Sequence, residues 1–347
     1  MKKHILLLTA ILAIAMVGCK KEKEQNNEAA NLAYVLNEGA WGGNNASLSL
    51  LDSNGITNNW FAAANNRSLG DLGQDLIHYG NRLYVVMNSS NTLEVVDPAT
   101  GKSIKQIDFG TRGPRYMATV GSKIYVSCYD KTIVRIDTAA LEIEATCALS
   151  GMQPEQLCVV GGNLYVCNCW QYDVDGNAEY DNTLSVVDLA SFTETSKITV
   201  GLNPGKIKAI DDSRVIVACT GDYGTNPAET RVINVNTLEQ TTLSVAATNF
   251  DILDNEIFVY TTAYDEYWNT TTKFYRINTT TLEATEFLQN YSATLSNAYG
   301  ININPKTKQL YICNSAYGVN GDVFIFNLDG TEVNHFEAGI LASKVVF

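Results

Sequence analysis

The sequence predicts an all-β fold of seven similar units, and three observations support this. A segment that ends in Asp or Asn occurs seven times, at intervals of 40 to 51 residues; the end residues are Asp52, Asp97, Asp137, Asp188, Asn234, Asn278 and Asn327. Each segment follows an apolar strand such as RLYVVMN, and a turn such as PATGK comes after it. The chain beyond its first residues shows no helical periodicity. Short strands in such repeats are typical of four-stranded blades, so we predict a seven-bladed β-propeller.

The recurrent acid or amide stands at the end of the third strand of each predicted blade. Its side chain can accept hydrogen bonds from backbone N–H groups of the following turn, as Asp and Asn do in Asx-turns. A residue type that repeats in every blade for this local reason is expected to be structural rather than catalytic.

The two ends of the chain are predicted to meet in the first blade. That blade begins at Ala33 with the pattern of a second strand, and its innermost strand is missing at this point. The segment LASKVVF, residues 341–347, has the strand pattern that could fill the gap. Closure of this kind hides the edges that an open sheet would expose to aggregation.

The N-terminus has the features of an exported lipoprotein. Lys2 and Lys3 precede an apolar run over residues 5–17, which is too short to span a bilayer but suits a signal peptide. The run ends in Gly18-Cys19, a small residue before a cysteine, as at lipoprotein cleavage sites. An ordinary secreted protein with a chance cysteine is the alternative, but position and flanking residues favour acylation of Cys19.

The chain is therefore divided into three parts. We predict a signal peptide at 1–18, a lipidated cysteine with a flexible tether at 19–32, and the propeller at 33–347. The tether, KKEKEQNNEAAN, is charged and rich in amides, so it cannot bury enough surface to order. Charged residues directly after the cysteine resemble a surface-export signal, so we expect an outer-membrane protein on the cell surface.

Composition and motifs restrict the classes of function. The formal net charge of −13 repels nucleic acid and anionic membranes, so nucleic-acid binding is not expected, and membrane contact is expected only through the lipid anchor. The sequence has no G-x-S-x-G, H-E-x-x-H or phosphate-loop motif. We expect no enzyme, although abundant carboxylates leave a glycosidase-like acid pair open.

The cysteines and one acidic loop bear on disulfide formation and on metal binding. Seven cysteines follow Cys19 without a zinc-ligand spacing, and most lie in apolar strands, so we expect buried thiols; a Cys158–Cys167 bridge stays open. No cofactor is required. Oxygen ligands at alternate positions in one loop resemble the front of a calcium loop: Asp173, Asp175, Asn177 and Asp181. The loop lacks the glycine and distal Glu of an EF-hand, which favours a solvated acidic hairpin tip over calcium.

The loops between second and third strands are unusually aromatic. They open on the same face of a propeller as the links between blades, where function usually lies. Their rings are Trp41, Tyr129, Trp170, Tyr172, Tyr180, Tyr223, Tyr264, Tyr267, Trp268 and Tyr317. Amphipathic rings concentrate at ligand and partner surfaces, so we predict a binding face, with about a third of the rings packed between blades.

Polar residues at the starts of the innermost strands are predicted to surround the mouth of the central channel. They are Gln74, Arg115, Glu155, Gln156, Lys206, Asn249, Tyr299 and Lys344. They can contact a ligand at the mouth, or only solvate the rim of the channel.

Several segments carry a resemblance to a known family. AYVLNEGAWGGNNASLSLLD, GPRYM, GNLYVCNCWQYD and the closing AGILASKVVF resemble the propeller lipoproteins of the Bacteroides group, which are YncE-like, YVTN-repeat proteins sometimes labelled surface layer proteins. That family includes the BtuG type. Proteins of the BtuG type capture cobalamin at the cell surface and pass it to a TonB-dependent outer-membrane transporter.

The resemblance implies capture of cobalamin or a related corrinoid, and a TonB-dependent transporter as partner. A corrin edged with amides suits flat apolar surfaces with hydrogen-bonding groups, and its phosphate could use Arg115, Lys206 or Lys344. The competing hypothesis is a cell-envelope scaffold that binds a protein or a glycan through the same face.

The lipoprotein hypothesis makes a direct prediction. Replacing Cys19 by Ala should move the protein from the membrane fraction to the soluble fraction without changing its melting temperature, because the acyl chains are the only predicted membrane attachment. Fractionation followed by immunoblotting measures this. Continued membrane association of the Cys19→Ala protein would contradict the hypothesis.

Overall fold

The computed structural model describes residues 32–267 and 270–347. The described chain forms seven four-stranded antiparallel sheets, arranged as the blades of a propeller, which confirms the predicted fold class. The predicted signal peptide, Cys19 and most of the tether lie outside the described residues.

The strands follow one another blade by blade. Blade 1 contains β1 (Ala33–Asn37), β2 (Ser47–Asp52) and β3 (Gly55–Thr57); blade 2 contains β4 (Gly73–Tyr79), β5 (Arg82–Met87), β6 (Thr92–Val96) and β7 (Ser103–Asp108). Blade 3 contains β8 (Pro114–Val120), β9 (Lys123–Cys128), β10 (Thr132–Asp137) and β11 (Glu142–Ala148); blade 4 contains β12 (Pro154–Val160), β13 (Asn163–Tyr172), β14 (Ala178–Asp188) and β15 (Thr193–Thr199).

The second half of the ring repeats the arrangement. Blade 5 contains β16 (Pro204–Ala209), β17 (Arg214–Cys219), β18 (Glu229–Asn234) and β19 (Gln240–Thr242); blade 6 contains β20 (Asn249–Leu253), β21 (Glu256–Tyr264), β22 (Thr270–Asn278) and β23 (Ala284–Phe287). Blade 7 contains β24 (Ala298–Asn304), β25 (Gln309–Asn314), β26 (Asn320–Asn327) and β27 (Glu332–Ile340), and β28 (Ala342–Val346) returns to blade 1.

A short helix departs from the all-strand expectation. Residues Trp60–Asn65 form α1 between blades 1 and 2, and a 3-10 turn covers Gln289–Tyr291. The α1 segment WFAAAN is rich in Ala, the best helix former, and Phe61 anchors it in the core. Six residues are too few to show a helical period, so the sequence pattern did not indicate this helix.

The apolar core lies between neighbouring blades. One cluster joins Tyr84 and Val86 of β5 to Val126 of β9 and Val134 of β10. In six of the seven blades the second strand is buried along most of its length, because blades cover it on both sides; in β5 and β9 the last five of six residues are buried. This explains why these strands read as continuous apolar runs rather than alternating ones.

The recurrent acid or amide builds the turn after the third strand, as predicted. Asp97 Oδ1 accepts the Ala99 N–H at 2.8 Å, and Asn234 Oδ1 accepts the Asn236 N–H at 2.9 Å. Equivalent bonds form at Asp52, Asp137, Asp188 and Asn278. In blade 7 the acceptor is Asp329, which bonds Thr331 N–H, so Asn327 departs from the pattern.

The C-terminal strand closes the ring as predicted. β28 pairs antiparallel with β1, with Val345 opposite Val35 and Val346 opposite Tyr34, which completes the sheet order β28-β1-β2-β3. The closure is reinforced where the ends meet: Asn37 Oδ1 accepts the Gly339 N–H at 2.9 Å, and Glu38 N–H donates to Leu341 O at 2.9 Å.

The cysteines of the described chain are buried free thiols, and no bridge links Cys158 to Cys167. Burial raises the pKa of the Cys158 thiol to about 12, which keeps it protonated and unreactive. Among residues 32–267 and 270–347, no helix is long and apolar enough to cross a membrane.

Closure makes the last strand essential for stability. Deleting residues 341–347 removes buried Ala342 and Val345 together with the pairing to β1, so the free energy of unfolding should fall by more than about 3 kcal/mol. Urea denaturation followed by intrinsic fluorescence measures the loss. Val333→Ala in β27, where the side chain is 48% exposed, is the matched control and should leave stability unchanged. A truncated protein that unfolds like the full chain would contradict the closure model.

Candidate ligand-binding face

One face of the propeller, which we call the loop face, carries the loops between second and third strands and the links between blades. The loop face is uneven. In blades 2 and 3 these loops span only residues 88–91 and 129–131. In blade 1 the equivalent loop spans residues 38–46, and in blade 5 it spans 220–228.

Two hairpins rise above the other blades. β13 and β14 have 10 and 11 residues, and β21 and β22 have 9 each, whereas β9 and β10 have 6. Their outer ends lie on the loop face, where Tyr172 pairs with Ala178 and Tyr264 pairs with Thr270. At about 3.3 Å per residue, the extra residues raise the hairpin of blade 6 by about 10 Å and that of blade 4 by about 13 to 16 Å. Blades 4 and 6 therefore form walls on either side of blade 5.

Most of the predicted rings are exposed on this face. Six are between 62% and 81% exposed: Trp41, Tyr172, Tyr223, Tyr264, Tyr267 and Tyr317. Tyr129, Trp170 and Tyr180 are partly buried, and Trp268 lies outside the described residues. The Trp170 and Tyr172 rings meet edge to face with centroids 4.9 Å apart.

Side-chain hydrogen bonds hold several of these loops in place. The backbone N–H of Trp41 donates to Tyr317 Oη at 3.3 Å, which joins the loops of blades 1 and 7. In blade 5, Asp222 accepts the N–H groups of Gly224 and Asn226, each at 2.9 Å. The Asn226 side chain is the main reason that the pKa of Asp222 falls to about 2. Tyr223 is thus presented from an ordered turn.

Polar residues, one from each of the seven innermost strands, form a polar ring in the channel. The ring consists of Asp75, Tyr116, Gln156, Lys206, Asp251, Asn302 and Lys344. Four of its members accept a backbone N–H from the innermost strand of the next blade, at 2.8 to 3.3 Å: Asp75 from Met117, Gln156 from Ile207, Asp251 from Ile303, and Asn302 from Val345. These bonds tie the blades to one another around the channel.

Arg115 is the centre of a buried network at the channel mouth. Its guanidinium donates to Gln74 and to both oxygens of Glu155, at 2.9 and 3.1 Å, and it lies 4.5 Å from the centroid of the Tyr129 ring. Tyr129 Oη donates to Glu155 at 2.9 Å. Burial opposes the charge of Arg115, but Glu155 keeps its pKa above the usual range. The structure thus brings four predicted residues, Gln74, Arg115, Tyr129 and Glu155, together and engages them with one another.

The side chains of Lys344 and Gln156 already form hydrogen bonds within the polar ring. Lys344 donates to Asp75, and Gln156 serves as an acceptor for Ile207. Asn249 lies at the start of β20 and accepts the N–H of Phe250 at 2.9 Å. These predicted site residues line the channel or its rim, but their polar groups have partners within the protein.

Glu38 is a site residue that the sequence did not indicate. Tyr299 Oη donates to Glu38 at 2.8 Å. Burial raises the pKa of Glu38, while the bond from Tyr299 and the charges of Arg115 and Lys206 act in the opposite direction. Glu38 follows β1 directly, so only the placement of β1 beside the closing strand brings it to the mouth. Tyr116 was also missed, although its position relative to Lys206 in the repeat could have indicated it.

A shallow depression of about 400 Å³ lies beside the mouth, over blades 2 and 3. Asn88, Asn91, Arg112 and Tyr129 contribute to its lining. Tyr129 also contacts Arg115 and Glu155, so the depression borders the network at the channel mouth. The low sector of the loop face is therefore polar, and the high sector is aromatic.

The acidic hairpin tip of blade 4 is organised by its own hydrogen bonds. Asp173 accepts the N–H groups of Asp175 and Asn177 at 2.9 and 2.8 Å, and Asp181 accepts the Met152 N–H at 3.0 Å. The Asn177 side chain is the main cause of the lowered pKa of Asp173. In the part of the chain that the structure describes, no three His, Cys, Asp or Glu side chains are grouped to hold a metal ion. Calcium binding at this tip stays a prediction.

Comparisons with known proteins agree with the fold. Residues 32–338 match the family model of a domain of unknown function, DUF5074. No curated protein sequence matches the chain. The hydrazine synthase of Kuenenia stuttgartiensis is similar in structure, with a TM-score of 0.58 and 17% identity over 72% of this chain and 74% of that chain. The computationally designed Ika8 protein has a TM-score of 0.58 and 11% identity over 90% and 89%. Such likenesses show the fold alone.

The network at Arg115 makes a stability prediction. Arg115→Met leaves Glu155 buried without its cation, so the free energy of unfolding should fall by about 3 kcal/mol. Arg112→Met is the matched control: its partner Asp130 and Arg112 itself are each about a third exposed, and the loss should stay below about 1 kcal/mol. Chemical denaturation compares the two variants, and equal losses would contradict a structural role for the Arg115 pair.

Proposed function

The chain belongs to the family of the domain of unknown function DUF5074, and we propose that its loop face captures a ligand at the cell surface. One observation carries the proposal: six aromatic side chains on a single face are more than 60% exposed. The hydrophobic effect disfavours such exposure unless a ligand or partner covers the rings. Several of the loops that bear them are held by hydrogen bonds, so binding costs little ordering of the protein.

We propose cobalamin or a related corrinoid as the ligand, passed on to a TonB-dependent outer-membrane transporter. A corrin is a broad, nearly flat macrocycle with neutral amides at its edge. The aromatic walls of blades 4 and 6 offer apolar surface for its faces, and the polar depression beside Tyr129 offers partners for its amides. Most ligand sites combine these two kinds of surface.

The surroundings of the carboxylates favour binding over catalysis. Glu155 accepts from Arg115 and Tyr129, Asp75 from Met117 and Lys344, and Glu38 from Tyr299. Each carboxylate at the mouth is therefore used to position neighbouring groups. A general acid or base needs instead to reach a proton of the substrate.

The direction of the first strand suits capture from the medium. β1 runs towards the loop face, because Asn37 leads directly into the loop 38–46. The chain therefore enters the propeller at Leu32 on the opposite face. If Cys19 carries the lipid anchor, the tether attaches to the face away from the aromatic loops, which leaves the loop face free to meet a ligand and a transporter.

A scaffold that binds a protein or glycan is the second candidate, and exposed aliphatic residues favour it. Val174 at the tip of the blade 4 hairpin is fully exposed, and Val319 beside Tyr317 is 54% exposed. These residues extend the apolar surface to the highest points of the face, beyond what a ligand at the channel mouth would cover. A macromolecular partner would cover both.

The corrinoid proposal predicts the effect of removing exposed rings. Tyr172→Ala and Trp41→Ala should each weaken cyanocobalamin binding by more than about fivefold, because truncating a ring that stacks on a ligand costs more than about 1 kcal/mol. Titration calorimetry on the folded propeller measures the affinities. Leu238→Ala, in an exposed turn on the opposite face, is the control and should bind like the original protein. A folded protein that gives no heat with any corrinoid would contradict the proposal and favour the scaffold.

A further inference from the structure

Lys206 and Tyr116 meet in the channel mouth, and within the described residues no hydrogen bond from either side chain to a further acceptor is present. Lys206 projects from β16 of blade 5 across the channel to Tyr116 of β8 in blade 3, and its ammonium donates to Tyr116 Oη at 3.4 Å. Lys206 also lies 5.2 Å from the centroid of the Tyr116 ring. Within the described residues, Lys206 takes part in no ion pair, unlike Lys344 and Lys208 of the same channel.

Both groups are in their donor forms at neutral pH. Burial raises the pKa of Tyr116, so its hydroxyl keeps its proton, and the bond from Lys206 uses only an oxygen lone pair. Burial opposes the charge of Lys206, but the pKa of Lys206 lies above its usual range, and the nearby Glu155 carboxylate favours the charged form. An ammonium with further N–H groups and a hydroxyl that keeps its proton therefore stand side by side.

We infer that Lys206 and Tyr116 form a seat for an anionic oxygen group, a phosphate or a carboxylate, on the ligand that the loop face captures. A group with two acceptor oxygens can take one proton from each donor. Such charge-assisted bonds are stronger than neutral ones. Salt screens them less at this partly buried site than it would at an exposed lysine. Arg115 is less suited, because its terminal nitrogens already bond Gln74 and Glu155.

The inference rests on the proposed function for its choice of ligand. Cobalamin carries one phosphodiester, in the loop that links its nucleotide to the corrin, and cobinamide has the same corrin without that group. The pair of ligands thus separates recognition of the phosphate from recognition of the macrocycle.

The experiment compares the two ligands by titration calorimetry. Lys206→Gln should weaken cyanocobalamin binding by about 10- to 100-fold and leave dicyanocobinamide binding unchanged. Tyr116→Phe, which keeps the ring, should weaken cyanocobalamin alone by a smaller factor, and Lys206→Arg should restore most of the affinity. Lys197→Gln removes the same charge from the exposed outer strand β15 and should change neither affinity.

Three outcomes are decisive. If Lys206→Gln binds cyanocobalamin as tightly as the original protein, or loses both ligands equally, the seat is overturned while corrinoid capture stands. If the original protein binds neither corrinoid, the proposed function fails, and the seat is tested by thermal melts in inorganic phosphate and in acetate. A rise in melting temperature that Lys206→Gln abolishes, in one anion or both, supports the seat and identifies its chemistry; an equal response of both proteins overturns it.

Discussion

Pairing between the two ends of the chain is the constraint on which the rest of the structure depends. Six blades are each built from consecutive strands, but blade 1 exists only when β28 joins β1. This pairing brings the seven innermost strands round one channel. It also lets Lys344 donate to Asp75 and the Val345 N–H donate to Asn302, and it places Glu38 beside the channel mouth. The site is therefore a property of the closed ring and of no single blade.

The polar ring of the channel separates the residues that stabilise the fold from those that can recognise a ligand. Of the seven residues in the polar ring, Asp75, Gln156, Asp251 and Asn302 accept backbone N–H groups and join neighbouring blades. The other three are donors. Lys344 is used by Asp75, which leaves Tyr116 and Lys206 as the pair with capacity for a ligand. The members that hold the ring together are acceptors, so the two outward donors are where the ring can recognise an anion.

The sequence predicted the blades well because the period is tied to local chemistry. In six of the seven blades the third strand ends at or directly before a predicted Asp or Asn whose side chain accepts a backbone N–H of the next turn. The aromatic loops could be predicted for the same reason, because the repeat locates the loop between the second and third strands of each blade. What the sequence did not show are contacts between blades: Arg115 bonds Gln74 and Glu155 some 40 residues away on either side. The height of the hairpins and the role of Glu38 likewise depend on register and closure.

The central claim is that the loop face is the ligand-binding surface and that its ligand is a corrinoid. Hydrogen–deuterium exchange of the folded protein, with and without saturating cyanocobalamin, tests it most directly because it reports every loop at once. If cyanocobalamin binds the loop face, exchange should be slower in the loops of blades 4, 5 and 6 and at the starts of β8 and β16. Exchange in the turns of the opposite face should stay unchanged. Unchanged exchange throughout, or protection confined to the opposite face, would contradict it.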